Sequence, residues 1–66
     1  MRNLELTTKT KFDIIQGRIV NALKNGCNHY GSLFLVAKNA ARDNDFTATE
    51  DLVKLAISAA KTEVTS

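Results

Sequence analysis

In the stretch RDNDFTATEDLVKL, residues 42–55, oxygen-bearing side chains recur at Asp43, Asp45, Thr47, Thr49 and Asp51, the alternation of a calcium-binding loop. Such a loop, about twelve residues long, needs glycine at its sixth position and a bidentate glutamate at its twelfth. Counted from Asp43 those positions hold Ala48 and Lys54, and a cation stands where the decisive carboxylate belongs. No metal is expected here. Thr47 followed by Glu50 instead reads as a capping box, with Phe46 placed as a hydrophobic staple, so the stretch marks where one helix stops and the next begins.

Nucleophilic or acid–base chemistry would have to use Cys27 and His29, the single cysteine and single histidine of the chain. A catalytic Cys–His pair needs an orienting third group and an oxyanion hole. A domain this small leaves little room for a substrate cleft around them. Cys27 is expected as a half-buried apolar residue and His29 as a surface or capping one. One cysteine cannot form an internal disulfide, and one histidine beside it cannot complete a zinc cage. The chain also lacks a glycine loop for phosphate. The expectation is a protein that is not an enzyme and carries no cofactor.

Binding chemistry has more to work with. Lys11, Arg18, Asn21 and Asn25 fall along one outward stripe of a first helix without an acid among them. Cations for phosphate and amides for base edges suit a helix laid on DNA. A helix-turn-helix fits poorly, because Asn21, Asn25 and Ser32 occupy positions that should be apolar. The order of a short alternating segment, RNLELT, and then helices resembles a ribbon-helix-helix arrangement in topology, from which Glu5 and a third helix depart. On the DNA-binding alternative the contacts would be Arg2, Lys9, Lys11, Arg18 and Asn25.

The elements that must position these residues are helical. The chain has 66 residues, no proline and three glycines, which suits long uninterrupted helices. Spacing predicts helices over 11–25, 30–42 and 48–64, joined by short turns, in an all-α three-helix bundle-like single domain with a short extended N-terminal arm over residues 2–7. Thr10 with Asp13 imitates the first cap; Gly26 ends that helix; the second starts between Asn28 and Ser32, both competent caps. The predicted core faces are Phe12, Ile15, Ile19, Ala22 and Leu23; then Tyr30, Leu33, Val36, Ala37, Ala40 and Ala41; then Leu52, Leu55, Ala56, Ala59 and Ala60. The second helix, apolar nearly all round, is expected to be central or double-faced. Gly17, mid-helix, suggests a close approach by another backbone.

No apolar run is long enough to span a membrane, and the first residues lack the apolar core of a signal peptide, so a cytoplasmic protein is expected. The formal net charge is +2, divided unevenly. Residues 1–42 hold seven Lys or Arg against Glu5 and Asp13, and residues 43–66 hold Lys54 and Lys61 against five acids. Acids at helix starts and bases at helix ends account for much of that split.

A core in so small a chain rarely supplies more than ~3–5 kcal/mol. Ile14, Leu35, Ile57 and Val64 are predicted to point away from it, and burying each fully would contribute ~1.5–3 kcal/mol. Association is the economical outcome. The expected function is therefore a small regulatory or inhibitory protein that binds a protein partner and self-associates, through Ile14, Arg18, Asn21 and Leu35. The alternative is a small DNA-binding regulator.

Overall fold

The computed structural model describes residues 7–65, which form three helices: α1 (Thr8–Lys24), α2 (Tyr30–Asp43) and α3 (Glu50–Thr65). The expected all-α fold is the one found. The arm over residues 2–7 lies outside the described residues apart from Thr7. Among those described, no helix is long and apolar enough to cross a membrane.

The second helix starts at its predicted first residue, Tyr30, while α1 starts earlier and α3 later than predicted, and the cap hydrogen bonds give the reason. The Thr7 hydroxyl accepts from the Thr10 backbone N–H at 3.1 Å, so α1 begins at Thr8 and Thr10 lies inside the first turn. At α2 the cap falls within the expected Asn28 to Ser32 range, on His29, whose Nδ1 accepts from the Ser32 N–H at 3.3 Å. At α3 the Thr49 hydroxyl takes the Leu52 N–H at 3.2 Å, which displaces the start from the predicted Thr47 cap to Glu50. Residues 46–49 stay out of the helix and alternate, with Phe46 half-buried, Thr47 exposed, Ala48 buried and Thr49 exposed. That period of two belongs to an extended segment.

The first two helices close in the same way. Gly26, at φ 93°, donates to the Leu23 carbonyl while Cys27 donates to Ala22, each at 3.0 Å. Asp45, at φ 62°, donates to Arg42 at 3.0 Å while Phe46 donates to Ala41 at 2.9 Å. Both are Schellman closures, in which a left-handed residue turns the chain back over the helix end and the following side chain packs beneath it. Cys27 and Phe46 accordingly lie against the core. This answers the calcium-like alternation: Asp45 ends α2, Thr49 caps α3, and Asp51 sits in the first turn of α3, where the dipole favours it.

The fully buried large side chains are Ile15 and Ile19 from α1, Leu33 from α2, and Val53 and Ile57 from α3. Six of the twelve buried core residues are alanines, so bulk is concentrated in a few positions. The central helix is α1, not α2: α1 packs against both others, which meet each other far less. The small Ala37, Ala40 and Ala41 let α1 approach α2 closely.

The core face of α3 also differs from expectation. Val53, Ala56, Ile57 and Ala60 are buried, while Leu55 is 62% exposed and Leu52 half-buried. Ile57 is therefore core rather than surplus. Tyr30, expected on the core face of α2, is 47% exposed because it opens the helix at the end of the bundle.

Gly17 has no neighbour within 4 Å of the place a Cβ would occupy, so the expected close backbone approach is absent and the position is open. Alanine there would lose less backbone entropy on folding. Gly17→Ala should raise stability by ~0.5–1 kcal/mol, read as a higher urea midpoint at unchanged slope.

Candidate nucleic-acid interface

The residues expected to form a protein-binding surface do not come together. Ile14, Arg18 and Asn21 share a side of α1, with Ile14 half-buried and the other two exposed. Leu35 belongs elsewhere. It lies two residues from Leu33 and from Ala37, both fully buried, and is 59% exposed. Two residues along a helix is a rotation of roughly 200°, so Leu35 stands on the side of α2 opposite its packed face.

The predicted nucleic-acid contacts are also dispersed. Arg2 lies outside the described residues. Lys9 pairs with Asp13 at 3.2 Å on the same helix, and Arg18 pairs with Asp43 at 3.5 Å across to the end of α2. Asn25 turns its amide back to the Asn21 carbonyl at 3.0 Å. Lys11 is placed differently, with its ammonium 5.5 Å from the centre of the Phe46 ring.

That contact belongs to a larger arrangement. Tyr30, Phe34, Lys38, Arg42 and Phe46 follow one another at four-residue intervals. Residues four apart on a helix form a ridge along its surface. On α2 this ridge runs beside the buried stripe, so its rings lean on the core while its cations reach water. Tyr30 and Phe34 are neighbours, with ring centres 6.2 Å apart and planes tilted by 44°. Lys38 lies over Phe34 at 5.4 Å, and Lys61 of α3 lies over Tyr30 at 5.9 Å. At the C-terminal end of α2, Lys38 and Arg42 line a shallow hollow of about 250 Å³ with Ala41, Phe46, Thr47 and Ala48. Rings and cations thus intermingle from Lys61 at one end, through Tyr30, Phe34, Lys38, Arg42 and Phe46, to Lys11 at the other.

No match was found among protein families, curated proteins or solved structures. The chemistry of the surface itself is what remains to argue from.

Among the described residues the cations fall into three groups, the exposed Lys24 at the end of α1 standing apart with neither an ion pair nor a ring contact. Lys9, Arg18 and Lys54 have carboxylate partners. Lys11, Lys38 and Lys61 lie over rings instead, and Arg42 faces the hollow. A ring face attracts a cation without neutralising it, and at 5.4–5.9 Å these contacts are near the outer limit of the interaction. An exposed contact of that kind is worth only ~0.5–1 kcal/mol, so the ammonium groups are free to turn to a stronger anion.

The other groups of chemical interest are occupied structurally. Cys27 is half-buried against the core, and His29 caps α2. Among the described residues, no three of His, Cys, Asp and Glu gather closely enough to hold a metal ion.

Sequence reasoning missed Tyr30, Phe34, Lys38, Arg42, Phe46 and Lys61 as a group. The four-residue spacing from Tyr30 to Phe46 is legible in the chain and would have pointed to the ridge. The placement of Lys61 and Lys11 at its ends is tertiary.

Proposed function

We propose that the protein is a small, non-enzymatic regulator that acts by binding nucleic acid along the α2 ridge. The observation that carries this reading is the run of cations that lie on or beside aromatic rings and have no carboxylate partner among the described residues. Phosphate oxygens satisfy such cations, and exposed ring faces suit bases. The ridge spans about 18 Å from Tyr30 to Arg42 at 1.5 Å per residue, enough to follow several phosphates.

The test is a fluorescence-anisotropy titration of labelled random-sequence oligonucleotides at rising salt. Three or four neutralised phosphates should give a slope of log affinity against log salt near −3, or a loss of some tens-fold between 50 and 200 mM. Absence of binding at micromolar protein and low salt would overturn the proposal.

A second reading keeps the protein-binding, self-associating regulator, and Leu35 supports it. A leucine 59% exposed on the outer face of α2, with Leu55 62% exposed on α3, leaves apolar surface that a partner or a second copy would cover. Light scattering separates the two: the second reading requires a mass above the 7.2 kDa of one chain or a captured protein partner.

A further inference from the structure

We infer that the ridge takes single-stranded rather than duplex nucleic acid, with bases stacking on Tyr30 and Phe34 and phosphates held by Lys61, Lys38 and Arg42. This rests on the nucleic-acid reading above and narrows it to one form of ligand.

The argument starts from the rings. A duplex buries its bases in its own stack and offers a protein phosphates and groove edges, which cations and amides can serve without aromatic help. A single strand offers unstacked base faces, and aromatic side chains on a basic track are the means of holding them. Tyr30 is 47% exposed, and its ring is steadied by Phe34 at 6.2 Å and approached by Lys61 at 5.9 Å. Phe34 in turn carries Lys38 at 5.4 Å. Each ring therefore has its own cation, the pairing that a nucleotide with its base and phosphate requires. Base stacking is stronger than an exposed ring–ammonium contact, so a base can displace the ammonium from the ring and leave it to the adjoining phosphate. Sequence preference should be slight, because every base has a face to stack.

The chain contains one tyrosine and no tryptophan, so its intrinsic emission reports on Tyr30 alone. The full chain is titrated with an oligothymidylate of about twelve nucleotides, with a duplex of the same length, and with polyglutamate. The inference predicts that oligothymidylate binds at least tenfold tighter than duplex and quenches the tyrosine emission. Tyr30→Ala should weaken that binding about five- to a hundredfold with the salt slope unchanged, whereas Tyr30→Phe retains it. Circular dichroism verifies that both variants fold. Equal affinity for duplex with unquenched emission would overturn the single-strand inference while leaving the nucleic-acid reading intact. Full affinity in Tyr30→Ala would do the same. Polyglutamate binding as tightly as oligothymidylate would assign the ridge to an acidic protein and overturn both, as would the absence of binding to any of the three.

Discussion

Ile19→Ala should remove most of the protein's stability at 25 °C and leave it marginally folded. Ile19 is fully buried on α1, the helix that both others pack against, so the cavity would open within the core that joins the three helices. Truncating a buried isoleucine to alanine costs ~2–5 kcal/mol, through lost transfer energy and the void left behind. A domain of this size holds about 3–5 kcal/mol in all. The helical signal at 222 nm should therefore be reduced at 25 °C and lost at far lower urea than in the parent. Ile19→Val, at ~0.5–1.5 kcal/mol, should stay folded with a lower urea midpoint. Leu35→Ala, on the exposed face, should change stability by less than about 0.5 kcal/mol. An Ile19→Ala protein as stable as the parent would mean that the hydrophobic core lies elsewhere.

The fold was legible because its punctuation is local. The absence of proline, Gly26 after the first helix and threonines before two of the three are features a single chain displays. Boundaries slipped where several residues could serve as caps: Thr47 and Thr49 compete, and the Schellman closure at Asp45 holds Phe46 and Ala48 in an extended segment, which leaves the cap to Thr49. The core face of α3 was less legible. Leu52, Leu55 and Ala59 form one apolar stripe, and Val53, Ile57 and Ala60 form another, both flanking Ala56. Periodicity alone cannot rank two adjacent stripes; packing against α1 selects the second.

The interface was less legible still. An outward stripe of cations and amides on α1 draws attention in the sequence. In three dimensions Lys9 and Arg18 are paired with acids and Asn25 is folded back on its own helix. The ridge on α2 was hidden because its aromatic members first read as core or staple residues and its cations as ordinary surface. The alternation emerges when Lys61 arrives from α3 and Lys11 from α1, pairings between helices that no periodicity encodes.

Neutralising the ridge tests the account's central claim, that nucleic acid is held there, more directly than any other change. Lys38 and Arg42 are exposed and line the same hollow, so Lys38→Gln with Arg42→Gln removes two cations without entering the core. The loss of one contact over Phe34 and one favourable charge at the end of α2 should cost roughly 1–2 kcal/mol of stability, which leaves the chain folded. A hydrogen bond to a charged group is worth ~1.5–3 kcal/mol, so losing two corresponds to a hundredfold or more in affinity. On a single strand the salt slope should become shallower by about 1.4, roughly 0.7 for each phosphate released. Lys9→Gln with Arg18→Gln removes the same charge from cations already paired with Asp13 and Asp43. The decisive measurement is oligonucleotide affinity against salt for these two double variants side by side. The account predicts a loss of at least about a hundredfold for the first and less than about threefold for the second. Equal losses, or a larger loss in the second, would place the contact on α1 and contradict it.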